Sequence, residues 1–278
     1  MLASMSEMWD GVAAVWERDA ERIDEQLARG TTAMLDAAVI EAGDAVLDIA
    51  CGAGNAGLAA AERTGTSGSV VLADDAPLMV EAAARRSAEL PHVTTLACAL
   101  EQIQAPDESF DAVICRHGLM FAQDHAAAVA EARRVLRPGG RYSAMTWDSR
   151  AANPWLGLIM DAVGAQFGVA FPPPEVRGPF SLDDPALLAD TLQAGGLADV
   201  EVLQVPAPVT YDSLEAWWEH VPRFAGPLAT ALGALEPDVR EAIHRRAVAA
   251  AEQVARPVDD GVELDGAVLV GSGRRPLG

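Results

Sequence analysis

The stretch V-L-D-I-A-C-G-A-G-N-A-G, Val46 to Gly57, decides how the rest of this 278-residue chain is read. A short apolar run, Val46–Ile49, carries one acid, Asp48, and opens into a turn with glycines at positions 52, 54 and 57. Glycines at G-x-G-x-x-G spacing let a tight turn bring backbone N–H groups close to a ligand. Many such turns receive a pyrophosphate. A carboxylate four residues before the first glycine would set two negative groups against each other. A carboxylate in that place suits a cationic group, such as an amine or a sulfonium.

Outward from this turn, short apolar runs alternate with amphipathic segments. The pattern predicts strands at Ala45–Ile49, Ser69–Ala73, Val93–Ala97, Phe110–Cys115 and Tyr142–Trp147. Helices are predicted between them at 55–64, 77–90 and 125–136, the last ended by Arg137-Pro138-Gly139-Gly140. Short buried strands separated by helices imply an α/β fold, a Rossmann-like doubly wound sheet with right-handed crossovers. Ligands of such sheets bind beyond the carboxyl ends of the strands. The Asp48–Gly57 turn, Asp74, Cys98–Glu101 and Arg116-His117 all fall on that one edge.

Before this core, Met8, Val12, Val15, Trp16, Ile23 and Leu27 recur at helical spacing and predict one or two amphipathic helices over Met5–Gly30. Thr31–Ile40 predicts a further helix. After Asp148 the expected elements are a helix over 153–168, a proline run at Phe171–Pro174, a helix over 184–194 and a strand at Val200–Val205. A helical region over 213–255 is cut by Pro222, Pro227 and Pro237, and Val262–Val270 closes the sheet as a terminal antiparallel strand. The expected organisation is therefore N-terminal helices covering the site over 1–43, a cofactor-binding core over 44–152 and helical lid insertions at 153–178 and 212–257. The segments 179–211 and 258–278 complete the sheet.

Composition narrows the function. A net charge of −21 argues against nucleic acid as a partner, because neutralising phosphates needs a basic surface. All 20 basic residues are arginine. No stretch approaches the roughly twenty uncharged apolar residues of a membrane span, and the acidic start over Met1–Asp10 does not read as a signal peptide. The three cysteines, Cys51, Cys98 and Cys115, have no metal-ligand spacing and form no even framework, so a reduced, cytoplasmic protein without a metal site is expected.

Four segments, V-L-D-I-A-C-G-A-G (46–54), V-V-L-A-D-D-A-P-L-M (70–79), S-F-D-A-V-I-C-R-H-G-L-M-F (109–121) and R-R-V-L-R-P-G-G-R (133–141), resemble the class I S-adenosylmethionine-dependent methyltransferases. The likeness is to the small-molecule branch that includes quinone and natural-product methyltransferases. It covers about Asp44 to Trp147 and extends in part to 178–202. It implies S-adenosyl-L-methionine as cofactor. Asp48 and the turn through Gly52 and Gly54 would then face its methionine part, with Ala50, Cys51 and Asn55 also among the cofactor-binding residues. Asp74 would accept from the ribose hydroxyls, with Asp75 and Met79 flanking the adenine and Ala99, Leu100 and Glu101 at its edge; Arg116 would join them on the rim. Two positions depart from the family pattern: Ala50 stands where glycine is frequent, and Ala99 where an aspartate commonly accepts from the adenine amino group.

Methyl transfer is an in-line displacement that needs alignment and exclusion of water. A hydroxyl acceptor also needs a base, for which histidine is the natural candidate near neutral pH. His117 lies just past the fourth strand and is the first candidate, with His220 in the lid region as the alternative. Trp16, Trp147, Trp155 and Trp217 are the aromatic residues expected to line an apolar acceptor pocket. The resulting expectation is a monomeric or homodimeric enzyme that methylates a bulky apolar small molecule at oxygen or carbon. Two alternatives keep the fold: pericyclic or decarboxylation chemistry that uses the cofactor without methyl transfer, and a non-catalytic partner subunit. An NAD-dependent oxidoreductase is opposed by Asp48 and by the absence of lysine from a Tyr/Lys pair.

Overall fold

The computed structural model describes residues 4–173 and 176–277. The first three residues of the acidic start, the end of the proline run at Pro174 and the last glycine lie outside the described residues.

Three helices open the chain: α1 (Met5–Asp10), α2 (Ala13–Arg18) and α3 (Ala20–Ala37). The alternating core follows as β1 (Ala45–Ile49), α4 (Asn55–Thr64), β2 (Ser69–Asp74), α5 (Pro77–Arg86), β3 (Val93–Ala97), β4 (Phe110–Arg116), α6 (His125–Val135) and β5 (Leu136–Trp147). Beyond it come α7 (Pro154–Phe167), α8 (Pro185–Ala194), β6 (Ala198–Pro206), β7 (Val209–Tyr211), α9 (Leu214–Phe224), α10 (Gly226–Gly233), α11 (Pro237–Ala251), β8 (Arg256–Val258), β9 (Gly261–Leu264) and β10 (Ala267–Arg274).

The main sheet has seven strands in the order β3-β2-β1-β4-β5-β10-β6. Parallel pairing joins its first five strands, and β10 runs antiparallel to both β5 and β6. This is the mostly parallel, doubly wound sheet expected from the alternation. The order reverses between β1 and β4, so a crevice opens where β1 delivers its glycine turn and β4 delivers Arg116. Strand β1 is buried on both faces, which explains its near-continuous apolar run.

Four sequence expectations change. Residues 31–37 continue α3 rather than starting a new helix; Gly30 lies inside it, where the helix packs so closely on Met145 and Val268 of the sheet that a Cβ would collide. Of the three prolines expected to cut the 213–255 region, Pro227 and Pro237 do so, standing in the first turns of α10 and α11, where a missing N–H costs nothing; Pro222 does not, and lies inside α9. The Arg137–Gly140 segment is an irregular start to β5, with a register shift against β4, rather than a turn before it. The closing strand is two strands in two sheets. Strand β9 belongs to a three-stranded sheet, β7-β9-β8, and β10 to the main sheet. Gly266 makes the crossing, and a Cβ there would fall 2.0 Å from the Ala207 carbonyl oxygen.

Candidate active site

At the carboxyl edge of the sheet lies a cavity of about 230 Å³, lined by residues from the N-terminal helices, the strand ends and the α9–α10 region. Among the expected cofactor residues, Ala50, Cys51, Gly52, Asp74, Asp75, Met79, Leu100, Glu101 and Arg116 line it. Asp48, Gly54, Asn55 and Ala99 do not. Asn55 is buried instead at the start of α4, where its amide donates to Ala20 O and Asp24 Oδ2 at 3.0 and 2.6 Å. Ala99 makes an isolated bridge to Gln102.

Asp74 is the polar anchor of this wall. It is 8% exposed, and its two oxygens accept from Gly52 N at 2.8 Å and Ala76 N at 2.9 Å. Burial raises its pKa to about 6, against the lowering effect of those two N–H groups. Each carboxylate oxygen has a second acceptor site left for a ligand. Gly52 has φ +56°, and a Cβ there would have Trp16 as its nearest neighbour at 3.8 Å, so backbone lies open to the cavity. An acceptor pair, an open glycine turn and the apolar Met79 side chain fit the nucleoside of S-adenosylmethionine. Glu101 is already engaged, its Oε1 accepting from Gln123 N at 2.6 Å.

Ala50 adopts φ +57°, a left-handed conformation that favours glycine and accounts for the family's preference there. Its Cβ packs on Gly118, where a Cβ would lie 2.3 Å away. Arg116 donates to Asp24 Oδ1 and Thr31 Oγ1, both at 3.1 Å, tying α3 to the end of β4. Asp48 is 0% exposed, and neither of its carboxylate oxygens has a hydrogen-bond partner. Burial pushes its pKa up to about 7, with the Arg116 charge and the nearby Gly57 N–H, which falls outside hydrogen-bond geometry, pulling the other way.

His117 also adopts a left-handed conformation, φ +58°, which turns its ring onto Trp147. It lines the cavity, and both ring nitrogens are buried without a partner. Burial, then the neighbouring Arg116 charge, holds its pKa well below the ordinary 6.5, so the ring is neutral at pH 7. His220 does not line the cavity; it packs on Phe224 and Tyr211, and burial takes its pKa to about 4.

Trp16, Trp147 and Trp155 line the cavity. Trp217 does not: it is 0% exposed behind Trp155, whose carbonyl accepts from the Trp217 indole at 2.7 Å. Phe121, Phe224 and Trp9, which are not among the aromatic residues expected there, join the wall, as does Gln26. Ring contacts run in one chain from Phe121 through Trp9, Trp16, Phe224, Trp155 and Trp147 to His117. Phe121 could have been read from its place four residues past His117 on the rim. Phe224 and Gln26 carry no such signal, because only the packing of α9 and α3 brings them in.

Residues 46–140 match the family described as a methyltransferase domain. The ubiquinone/menaquinone biosynthesis C-methyltransferase UbiE of Bordetella avium is 30% identical over 220 residues, covering 74% of this chain and 84% of that protein. Nocamycin O-methyltransferase of Saccharothrix syringae is 30% identical over 267 residues, covering 89% and 88% respectively. An uncharacterised 37.1 kDa protein of a Streptomyces fradiae transposon is 39% identical, but the chain spans only 34% of its length; for an uncharacterised Mycobacterium bovis protein that share is 41%. Among solved structures, a Haloferax volcanii methyltransferase in complex with the Trm112 activator superposes with a TM-score of 0.61 at 20% identity, covering 98% of both chains. The chain belongs to the class I S-adenosylmethionine-dependent methyltransferases, with S-adenosyl-L-methionine as the cofactor of that family. Among the described residues, no helix is long and apolar enough to cross a membrane.

Proposed function

We propose that this enzyme transfers a methyl group from S-adenosyl-L-methionine to oxygen or carbon of a bulky apolar small molecule. The observation that carries the reading is the continuous chain of rings from Phe121 to His117, on the same cavity as Asp74, Met79 and Leu100. Flat apolar faces over most of the wall favour an acceptor with a large apolar surface. The named methyltransferases among the relatives, a ubiquinone/menaquinone C-methyltransferase and a nocamycin O-methyltransferase, support both acceptor atoms.

Asp74, Asp75, Met79, Leu100 and the Gly52 turn would hold the nucleoside, and Arg116 the rim beside it. The bound cofactor supplies an electrophilic methyl on a sulfonium. Trp16 ties the N-terminal helices to α9 by donating its indole N–H to Phe224 O at 2.8 Å, an arrangement that would help keep water from a bound methyl group. His117, neutral and with ring nitrogens that have no protein partner, stands as the candidate base for an acceptor hydroxyl. The low basicity of this ring also favours a second reading, in which the same pocket runs pericyclic or decarboxylation chemistry without consuming the cofactor. The wider reading is a monomer or homodimer in the cytoplasm, a location supported by three free, buried cysteines.

Calorimetry with S-adenosylhomocysteine tests the cofactor reading, and absence of binding would overturn it. Incubation of apolar phenols, enols and quinols with labelled cofactor then tests transfer. Product that forms equally well with S-adenosylhomocysteine would select the second reading.

A further inference from the structure

A buried acid without a hydrogen-bond partner is costly to keep ionised. Asp48 is such an acid, at the core of the sheet. In register it lies between Leu72 of β2 and Ile114 of β4, both apolar. On the helix side its Oδ2 abuts the first turn of α4, so close that a Cβ on Gly57 would lie 2.9 Å from it; the Gly57 N–H there favours the ionised form without making a full hydrogen bond. The ionisable groups that face it are Arg116 and Cys115 at the end of β4, Asp74 at the end of β2 and Cys51 in the glycine turn. Arg116 is the one cation of that set, and its guanidinium is already committed to Asp24 and Thr31. Of the residues that follow Asp48, Ala50, Cys51 and Gly52 line the cavity while Asp48 itself does not. Asp48 therefore acts on a ligand through its charge, at low dielectric, without direct contact through solvent.

We propose that Asp48 reads the charge of the bound cofactor: it gives up its proton when a sulfonium binds and takes one back when the sulfur has become a neutral thioether. This rests on the cofactor reading above. Before binding, a proton offsets the cost of a buried, unpartnered carboxylate. A cation placed in the cavity favours the ionised form, so the proton leaves to solvent on binding. When the methyl carbon–sulfur bond breaks, its electron pair stays on sulfur and the positive charge is gone. Asp48 then recovers a proton from water, and the spent cofactor loses its attractive counter-charge. The acid thus discriminates between donor and by-product at a point where their shapes differ by one methyl group.

Calorimetry of the full chain in buffers of different ionisation enthalpy counts the protons released. Three probes are titrated near pH 7: S-adenosylmethionine, S-adenosylhomocysteine and an analogue with a charged amine in place of the sulfonium. With Asp48 titrating at about 7, each cationic probe releases about half a proton more than the thioether. The affinity ratio of donor to thioether rises with pH, by up to about tenfold per unit, and flattens above pH 7. The shared amino-acid and ribose groups cancel in the difference between probes, and Asp74, mostly ionised at pH 7, adds at most about a tenth of a proton. Asp48→Asn removes the excess. Because that variant could misfold, infrared difference spectra of the wild-type protein give a second readout: the C=O stretch of a buried carboxylic acid is lost with the cationic probes and kept with the thioether. Equal proton counts for all three probes, or an excess that survives Asp48→Asn, would overturn the proposal. No heat with any probe would instead overturn the cofactor reading.

Discussion

The imidazole of His117 lies flat on the indole of Trp147, with ring centroids 3.9 Å apart and planes inclined by 17°. The stack fixes the ring at the cavity wall, while its two nitrogens have no partner and its charge is suppressed by burial and by Arg116. Position and chemistry are thereby separable. His117→Phe keeps a flat ring on Trp147 and removes two buried polar atoms, so the thermal midpoint should hold or rise. If His117 assists an acceptor hydroxyl, turnover falls by about 10²-fold or more. With the wild-type ring neutral throughout, the rate between pH 6 and 8 should show no acid limb from this residue, which a pH–rate profile checks.

Asp74 accepts two backbone N–H bonds from the segments that flank the cofactor wall. Asp74→Asn leaves one carbonyl oxygen and turns an NH₂ toward a donor. Hydrogen bonds to charged groups contribute about 1.5–3 kcal/mol each. Binding of S-adenosylhomocysteine should therefore weaken by about 10- to 100-fold in calorimetry, with a lowered thermal midpoint.

Ala50 and Gly118 form a coupled pair. Gly118→Ala brings a Cβ to 2.3 Å from that of Ala50 and 3.0 Å from Cys115 Sγ, and should destabilise by about 1–3 kcal/mol. Ala50→Gly removes the opposing methyl and relieves a left-handed alanine. The double variant should recover much of the loss, and a double-mutant cycle in urea measures the coupling. Additive effects would show that the two positions do not compete for the same space.

Asp48 makes stability depend on pH with a definite sign. Its folded pKa, about 7, lies above the ordinary 3.8, so between these values the folded chain holds a proton that the unfolded chain has lost. Stability from this group is fully present below about pH 4 and is lost as pH rises through 7. His220, held at about 4, works in the opposite direction between 4 and 6.5. The comparison that isolates Asp48 is therefore Asp48→Asn against wild type. The variant should gain relative stability by a few kcal/mol, on the order of 1.36 per pKa unit, as pH rises from 4 to 7. A pH-independent difference in denaturant midpoints would refute this assignment.

Local patterning determined the core. The run at Val46–Ile49, the glycines after it and the alternation through Trp147 place five parallel strands and put Asp74, Arg116 and His117 on one edge, because strand and helix periods are set by backbone geometry. The relation between distant segments was decided by the tertiary structure. Gly266 carries the chain from one sheet to another, since only a residue without Cβ passes Ala207. Trp217 faces Trp155 rather than the cavity, and Phe224 takes the place at the wall that sequence could not assign. The acid before the glycine turn was legible as a sign of a cationic ligand. That it lies beneath the turn, sealed from water and without a partner, follows from the packing of β1 between β2, β4 and α4. Residue type sets which charges a site can carry; only the packed interior sets what those charges cost.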